Sequence, residues 1–451
     1  MSNDIKISKG LDIKLVGEAE KVTETAILSN FYSVRPEDFH LVTPKLVVKV
    51  GDKVKAGSTL FYNKVNESIK FASPVSGEVV EIERGEKRKV LAIKIQADKS
   101  QEFQDFGSLN VSSANADAIK ARLLESGVWA FVKQRPYDVI ANPETEPKSI
   151  FVSAYASAPL AADLDYTVAG KEAELQAAVS ALAKLTAGQV HVSVAKKGNS
   201  PLANLNDVTV HKVSGPHPSG NVGTQINKLD PINKGETVWT VSPQDLVIIG
   251  ELLLTGKFNA ERTIAFAGSS VKKPRYFKTK IGAEVSTMVY DNGVEQDGND
   301  RIISGNVLSG KQVKPDGNLD YYSNIITVIP EGDDYEFFGW NKPIFNKVST
   351  SRALTFSWLT PNKKFDLNTN TNGEHRAFVT TGNYEEVFPL DIFPLQILKA
   401  CKYQDLDEME ALGMYEVDPE DFALTEFICV SKQPHQQIIR EGLDLMYKEI
   451  G

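Results

Sequence analysis

Apolar and polar residues alternate in short runs near the start of the chain and change to helical spacing further along. The stretch from Val48 to Ile82, VKVGDKVKAGSTLFYNKVNESIKFASPVSGEVVEI, repeats a run-turn-run pattern with turns at Gly51, Gly57 and Gly77. Alternation with a period of two puts one face of each strand inward, and glycine permits the positive φ angles of tight turns. The pattern predicts a small β-sandwich over residues 38–100.

Predicted strands and helices alternate over residues 101–257. The segment SSANADAIKARLLESG predicts a helix with Ser112 or Ser113 as its N-cap, and KEAELQAAVSALAKLTAG has the apolar spacing of another helix. The strands SIFVSAYA, QVHVSVA and VTVHKV are interspersed with them. This alternation predicts a mostly parallel, Rossmann-like sheet. Residues 1 to about 35 form a lead-in that contains the strand-like segment DIKLV.

The pattern changes again after residue 257. Residues 258–330 read as short strands joined by glycine turns, with the helix GAEVSTMVYDNG, and predict a compact β-rich domain. Residues 331–451 begin with a long irregular segment and end in the helices FPLQILKACKYQ, DEMEALGMYEV and HQQIIREGLDLMYKEI. Residues 401–426 contain nine acids and one base, Lys402. We expect a solvated helical face there, with an acidic docking patch as the alternative. The predicted fold class is α/β and multidomain.

Composition narrows the possible functions. The chain has 451 residues and a formal charge of −9, and its basic residues are spread out, which excludes a nucleic-acid-binding stripe. Its two cysteines argue against a disulfide framework and suit a reducing cytosol. The longest apolar stretch, DLVIIGELLLTG, is broken by Glu251 and is shorter than the roughly 20 residues of a membrane span. We therefore expect contact with a membrane to be indirect, through partners.

Motifs for common chemistries are absent from the sequence. Its six histidines are scattered, without His-Glu-x-x-His or Cys-x-x-Cys, so we expect no bound metal or cluster. The best glycine cluster, SGPHPSGNVGTQIN, is not the dinucleotide fingerprint Gly-x-Gly-x-x-Gly. Asn221 and Val222 also occupy the places where a P-loop needs Lys and Ser or Thr. Read alone, the cluster is a structural turn.

The predicted sandwich resembles biotinyl and lipoyl carrier domains, in which a hairpin lysine accepts the prosthetic group. The candidate lysine is Lys64, which lies in FYNKVNES between Asn63 and Val65. Biotinyl carriers place Met on either side of this lysine, and lipoyl carriers place Asp before it and Ala after it. Neither pattern is present, so we expect an unmodified lysine, with an acyl or biotin carrier as an alternative function.

Taken in order, several blocks resemble the A subunits of the bacterial Na+-translocating NADH:quinone oxidoreductases (Na+-NQR). They are KGLDIKLVGEAEKV, GEKRKVLAIKI, GPHPSGNVGTQINKLDPINKGETVWTVSPQDLVIIGELLLTG and RTIAFAGSSVKKPRY. The resemblance implies a Rossmann-like domain (1–37 and 101–257) with an inserted carrier-like sandwich (38–100), a ubiquitin-like β-grasp domain (258–330) and a C-terminal helical domain (331–451). It also implies a peripheral location on the cytoplasmic face of the inner membrane. The implied partners are other subunits of the pump, chiefly a membrane-embedded subunit that carries flavin.

This family is in turn similar to the flavin- and NADH-binding subunit of complex I and to the iron-sulfur C subunits of Rnf complexes. Those relatives have a glycine-rich nucleotide loop where this chain has ESGVWAFVKQRPYDVI, and side chains there block close approach of a phosphate. Their cluster-binding cysteines are reduced here to Cys429. We therefore expect this chain to bind no flavin, NADH or iron-sulfur cluster, and expect flavins and clusters in partner subunits.

A quinone site needs an apolar slot and donors directed at the carbonyl oxygens. The segment GVWAFVKQRPY offers Trp129, Phe131 and Tyr137 as walls and Lys133 or Arg135 as donors. His217, in the glycine block, is a candidate to protonate the reduced oxygen. Alternatively, the aromatics are ordinary core residues and Arg135 is a surface cation. The chain is then a cofactor-free assembly subunit. Ubiquinone and menaquinone both remain open as the quinone.

Overall fold

The structure is a computed structural model that describes residues 4–25, 29–290, 293–294, 298–333, 336–339, 347–348, 350 and 357–451. Its first two strands, β1 (Asp4–Lys6) and β2 (Thr23–Thr25), precede the sandwich but join two other sheets. The predicted strand DIKLV is wrong, because Leu15 makes only an isolated bridge to Phe365. The lead-in instead contributes β1, the edge strand beside β14 described below.

The predicted sandwich is present and is built from two antiparallel sheets. Its strands are β3 (Phe31–Val34), β4 (Pro44–Leu46), β5 (Lys53–Val54), β6 (Thr59–Asn63), β7 (Lys70–Ala72), β8 (Gly77–Arg84) and β9 (Val90–Ala97). One sheet has the order β3-β9-β8-β5 and the other β4-β6-β7. Phe61 and Phe71 are fully buried and stack with ring centroids 4.5 Å apart. The first strand begins at Phe31, ahead of the predicted start at residue 38.

An α/β domain follows the sandwich. Its elements are α1 (Ala116–Glu125), β10 (Lys133–Arg135), β11 (Val139–Ile140), β12 (Ile150–Ser153), α2 (Leu164–Thr167), α3 (Glu172–Leu182), β13 (Val190–Ala195), β14 (Thr209–Ser214), α4 (Val222–Leu229), β15 (Val238–Thr240) and α5 (Pro243–Thr255). The sheet order is β1-β14-β13-β12-β15-β10-β11. The first five strands are parallel, and the remaining pairings, of β10 with β15 and with β11, are antiparallel.

Helix boundaries in this domain follow local chemistry. The side chain of Asn115 caps α1, so the predicted cap at Ser112 or Ser113 is wrong by a few residues. Ser242 caps α5 ahead of Pro243, and Gly256 ends it with φ of 74°. Helix α5 is buried along most of its length and packs as a core helix against α3.

A six-stranded sheet follows. Its further elements are β16 (Glu261–Ala267), β17 (Arg275–Lys280), α6 (Ser286–Tyr290), β18 (Asp300–Ser304), β19 (Lys311–Val313) and β20 (Ile325–Pro330). The order is β19-β18-β20-β16-β17-β2, so the lead-in strand β2 closes one edge. The predicted helix GAEVSTMVYDNG is confirmed at α6, and residues 291–292 of that prediction lie outside the described residues.

Helices make up the end of the chain. They are α7 (Asn383–Val387), α8 (Pro394–Tyr403), α9 (Leu406–Ala411), α10 (Ala423–Phe427) and α11 (His435–Ile450). Of the predicted irregular segment before them, residues 334–335, 340–346, 349 and 351–356 lie outside the described residues. The mixed α/β, multidomain organisation with a sandwich and a helical C-terminal part is confirmed, while the Rossmann-like and β-grasp assignments stay predictions.

The helical domain packs against one end of the seven-stranded sheet. Tyr137 and Val139, which follow β10, belong to the same hydrophobic cluster as residues of α8 and α11. His40 of the sandwich lies 2.6 Å from Asp444 of α11 through its Nε2 atom. The end of the sheet at β10 and β11 is therefore a junction between domains, and the candidate site lies beside it.

Candidate functional site

A cleft of about 340 Å³ opens beside the carboxyl ends of the parallel strands. The loop after β12, with Ser153, Tyr155 and Ser157, forms one side, and the start of α4 at Asn221 forms another. Residues after β15, including Ser242, complete this part. Ligands of open α/β sheets bind in the crevice outside the carboxyl ends of the strands. The position of the cleft therefore makes it the candidate site.

Aromatic side chains form the apolar part of the cleft wall. Phe131 is 1% exposed and stacks on Tyr321 with centroids 5.1 Å apart. Tyr322 also lines the cleft and meets Phe131 edge to face at 6.4 Å. Its hydroxyl donates a 2.6 Å hydrogen bond to the carbonyl oxygen of Ala130, which holds the ring in place. The cleft thus has a rigid aromatic wall suited to a planar ring.

Lys133 is a cation that lines the cleft, and its side chain remains partly exposed. Its Nζ atom lies 3.2 Å from Asp138 and 4.5 Å from the centroid of Tyr322. Burial by itself would lower the pKa of Lys133, but the charges of Asp138 and Asp418 outweigh this effect and raise it. Lys133 is therefore a charged donor beside the aromatic wall.

Arg135 lines the cleft but has its charge satisfied within the chain. Its terminal nitrogens contact Asp421 at 3.1 Å, Asp418 at 3.3 Å and Glu420 at 3.0 Å. The side chain is 3% exposed, and its Nε atom has no hydrogen-bond partner. Arg135 therefore fixes the acidic segment of the helical domain against the α/β domain and is a poorer candidate for a ligand donor than Lys133.

Arg135 belongs to a larger group that we call the ionic cluster. Its members are Lys133, Arg135, Asp138, Asp418, Glu420, Asp421 and Arg440. Three cations face four carboxyl groups, so one carboxylate lacks a matching cation when all are ionised. Burial raises the pKa of Asp421 to about 6 and also raises that of Asp418 and Glu420. The excess charge favours retention of a proton within the cluster.

Asp245 also lines the cleft, but another buried cation neutralises it. Arg262, at 1% exposure, forms an ion pair with Asp245, and the hydroxyl of Ser242 donates to the same carboxylate at 2.7 Å. The guanidinium carbon of Arg262 lies 5.7 Å from the centroid of Phe131. This pair supports the floor of the cleft under the aromatic wall.

His217 reaches the cleft through Ser157. The Nδ1 atom of His217 lies 3.1 Å from the Ser157 hydroxyl, which accepts a 2.8 Å bond from the Gly220 amide. Ser157 lines the cleft, whereas His217 is buried behind it. Burial lowers the pKa of His217 to about 4, so the imidazole is neutral at pH 7. His217 therefore contacts the cleft only through the Ser157 hydroxyl.

Two of the predicted wall residues lie elsewhere. Trp129 is fully buried, donates a 2.7 Å bond to the Ala141 carbonyl oxygen and packs against Trp239 with centroids 5.3 Å apart. Tyr137 faces the helical domain and meets Tyr447 edge to face at 5.2 Å. The cleft brings together Phe131, Lys133 and Arg135, and the other two aromatics are core residues.

The acidic residues of the cleft are not evident from the sequence. The nine acids of residues 401–426 are expected on a solvated face, but Asp418 and Asp421 are buried, and Asp421 is 1% exposed. That expectation is wrong for these two residues, because Arg135 draws their carboxylates into the domain junction. The segment VDPEDF holds a usable signal, since an Asp-Pro-x-Asp pattern is typical of a helix start and the structure has a capping box there.

Packing within the chain explains the glycine block. A Cβ atom at Gly215 would lie 2.4 Å from the Ile7 carbonyl oxygen, and one at Gly220 would lie 2.5 Å from that of Tyr155. A Cβ atom at Gly223 would lie 2.5 Å from both carboxylate oxygens of Asp421. All three positions are filled by the chain itself, in agreement with a structural turn.

The described residues contain neither a metal site nor a membrane-spanning helix. Among them, no group of three or more His, Cys, Asp or Glu side chains is arranged to hold a metal ion. None of the helices described combines the length and apolar character needed to cross a bilayer. Cys401 and Cys429 are free thiols in the buried interior, and burial raises the pKa of Cys401 to about 12.

Three family models match successive parts of the chain. They are described as the NqrA N-terminal barrel-sandwich hybrid domain (residues 5–98), the NqrA second alpha/beta domain (114–258) and the NQRA C-terminal domain (263–315). The first two matches agree with the sandwich and with the α/β domain that carries the cleft.

Full-length relatives are similar across almost the whole chain. The A subunit of the Na(+)-translocating NADH-quinone reductase of Marinomonas sp. (strain MWYL1) is 37% identical over 447 residues, 98% of this chain and 99% of the relative. That of Neisseria meningitidis serogroup A is 36% identical over 450 residues, 99% of this chain and 100% of the relative. Among solved structures, a chain of an NAD+-reducing NiFe hydrogenase in the H2-reduced state matches with a TM-score of 0.36 at 12% identity, covering 48% of this chain and 47% of that one.

Proposed function

The chain belongs to the family of the A subunits of the Na(+)-translocating NADH-quinone reductases, and on this premise we propose that it binds the quinone substrate in the cleft beside β10. The complex as a whole oxidises NADH, reduces quinone to quinol and pumps Na+. This chain is its peripheral subunit on the cytoplasmic face of the bacterial inner membrane. Flavins and iron-sulfur clusters belong to partner subunits, chiefly a membrane-embedded flavin carrier, and the isolated chain is not catalytic.

The observation that carries the proposal is the juxtaposition of an aromatic wall and a charged donor in one cleft. Phe131 and Tyr322 line the cleft side by side, and the Nζ atom of Lys133 lies 4.5 Å from the centroid of the Tyr322 ring. A quinone ring needs such a wall, together with a donor directed at an oxygen where negative charge develops on reduction. The sequence left either Lys133 or Arg135 as the donor to the quinone oxygen, and we assign this role to Lys133.

Polar groups of the loop after β12 suit the second quinone oxygen. The Ser157 hydroxyl oxygen accepts from the Gly220 amide and lies 3.1 Å from the Nδ1 atom of His217. When Nδ1 carries the imidazole hydrogen it donates to the Ser157 oxygen, which leaves the hydroxyl hydrogen for the quinone. We assign His217 a positioning role, in place of direct protonation, because its imidazole lies behind Ser157 and is neutral at pH 7.

The test is equilibrium binding of a short-tail quinone to the isolated chain, followed by calorimetry and by quenching of its tryptophan fluorescence. We expect saturable binding at one site, weakened at least about tenfold by Lys133→Gln because a charged donor is lost. Lys120→Gln is the matched control, since Lys120 is also partly buried but bonds to the Pro143 carbonyl oxygen outside the cleft. Equal affinity in both variants would contradict the proposed site.

Trp129→Ala is a poor probe for this site. Trp129 is fully buried against Trp239, and its removal leaves a cavity that costs about 3–5 kcal/mol of folding free energy. Lost quinone binding in that variant reports lost structure, whereas Lys133→Gln changes a side chain at the surface of the cleft.

A second candidate function is that of a cofactor-free assembly subunit, and one feature favours it. Residues 41–99 carry 12 Lys and Arg against 7 Asp and Glu, in a chain with a net charge of −9. On the three-stranded sheet, Lys45, Tyr62 and Lys70 form a cross-strand row, and Lys64 and Val65 lie exposed on the hairpin that follows β6. We call these five residues the basic face.

The basic face suits docking to an acidic surface of a partner subunit. Val65 is 81% exposed, and of the three lysines only Lys45 has an acidic neighbour in the described structure, Glu67 at 3.9 Å. Exposed like charges with an apolar side chain among them favour recognition over stability. In this function Lys64 is a contact residue and carries no biotin or lipoate. Measurement of the intact mass tests this directly, because an attached biotin or lipoate would increase the mass of the chain.

The finer domain assignments are also proposals. The five parallel strands with helices around them support a Rossmann-like domain formed by residues 1–37 and 101–257, with the sandwich of 38–100 inserted. The six-stranded sheet with α6 supports a β-grasp domain over 258–330, followed by the helical domain over 331–451.

A further inference from the structure

We propose that Glu420 is the acid that protonates one oxygen of the reduced quinone, an inference that rests on the proposed quinone site. Glu420 lies in the short segment Pro419–Phe422 of the helical domain and lines the cleft. No sequence motif marks it, because the segment becomes part of the cleft only when the helical domain packs on the sheet.

Position singles out Glu420 among the carboxylates of the ionic cluster. Its side chain is 38% exposed, whereas those of Asp418 and Asp421 are 7% and 0% exposed. Asp138 lines the cleft as well, but its side chain is 23% exposed, and although burial raises its pKa, the charges of Lys133 and Arg135 outweigh this and lower it. Glu420 is therefore the carboxyl group that reaches both the cleft and bulk water, as a proton donor that must be recharged requires.

The surrounding charges favour a proton on this wall of the cleft. The charged groups that act on Glu420 come from β10, from the turn after it and from the neighbouring residues of the helical domain. They are Lys133, Arg135, Asp138, Asp418 and Asp421. Arg440 of α11 joins the same cluster through Asp418. Four carboxyl groups share three cations, so a bound proton neutralises the excess negative charge in a site of low dielectric. Partial burial, with the charges of Asp418 and Asp421, raises the pKa of Glu420 to about 8.

The step balances with the electrons that NADH supplies through the complex. Two electrons enter the quinone, and the O–H bond of the Glu420 carboxyl breaks as its proton forms a new O–H bond on one quinone oxygen. The carboxylate left behind accepts a hydrogen bond from Arg135 at 3.0 Å and is reprotonated from water at its exposed side. The second quinol proton comes from water that enters the open cleft.

The test uses the assembled reductase with Glu420→Gln, which keeps the size and the bond from Arg135 but cannot donate an acidic proton. We expect kcat to fall about 100-fold or more while KM for quinone stays within about twofold. In the wild type the rate falls as the pH rises through about 8, because the donor loses its proton, and the variant lacks this decline. Glu420→Asp should recover part of kcat.

Glu416→Gln is the matched control, because Glu416 precedes the same segment but bonds to Asn227 outside the cleft. An unchanged kcat and pH profile in Glu420→Gln overturns the inference. So does a loss of quinone binding by the isolated variant, which would reveal a structural role. If the isolated wild-type chain binds no quinone, the proposed function fails. If it binds quinone normally but the Glu420→Gln reductase keeps the wild-type rate, only the role of Glu420 fails.

Discussion

The ionic cluster beside the cleft and the basic face of the sandwich both gather cationic side chains, but only the cluster contains their counter-charges. Arg135 contacts three carboxylates and is 3% exposed. Lys64 and Lys70 of the basic face have no acidic neighbour within salt-bridge distance in the described part of the chain, and Lys45 lies 3.9 Å from Glu67. Buried ion pairs are sensitive to removal of one partner, whereas exposed charges contribute little to stability. The difference therefore separates a region that joins domains from one available to partners.

The largest expected effect is that of Arg135→Ala. The substitution leaves Asp418 and Asp421 buried without their cation, and breaking such a cluster costs about 3–5 kcal/mol. We expect a matching loss in the free energy of unfolding by urea, with early proteolysis before α10 as the helical domain separates. A loss below about 1 kcal/mol would show that the cluster does not hold the junction.

The second expected effect is the pH dependence of the stability of Asp421→Asn, which tests the ionic cluster. The folded pKa of Asp421 is raised to about 6, by burial first and then by Asp418. A raised pKa gives stability that is present below the unfolded value of about 3.9 and is lost as the pH rises through 6. The variant should therefore gain on the wild type above pH 6, by on the order of 1–3 kcal/mol. Melting curves that stay parallel from pH 5 to pH 8 would contradict this.

How much of the fold and of the candidate site can be predicted from the sequence depends on how far apart the interacting residues lie along the chain. The sandwich, α8, α11 and the alternation of strands and helices follow from local periodicity and were predicted. Phe131, Lys133 and Arg135 come from one continuous segment and all line the cleft, while their binding of quinone stays a prediction. The role of Asp421 was not predicted, since it lies 286 residues from Arg135 in sequence and only the packed helical domain brings them together.

Trp129 and β1 show two further limits. An aromatic residue beside a loop has the same appearance in a sequence whether it faces a ligand or the core, and only packing on Trp239 decides for the core. The short strand β1 carries weak alternation and becomes a strand through pairing with β14, a contact across the whole domain. Both were settled by tertiary contacts that periodicity cannot encode.

The smallest effect on stability is expected at the basic face. The double substitution Lys64→Glu and Lys70→Glu changes exposed or half-buried side chains, so the free energy of unfolding of the free chain should stay within about 0.5 kcal/mol. Binding to the other subunits should weaken, and more so at low salt, where charge repulsion is screened less. Lys99→Glu is the control elsewhere in the same domain. If the double variant instead destabilised the free chain and assembled normally, the basic face would have a structural role and would not be a docking surface.

The most direct test of the quinone site is photoaffinity labelling of the assembled reductase with a light-activated quinone analogue, followed by peptide mapping of this chain. We predict labels within residues 131–138 and 153–158 and at the segment around Glu420, all displaced by excess quinone. Labels confined to partner subunits, or to the sandwich of this chain, would contradict a quinone site in the cleft and leave the docking function.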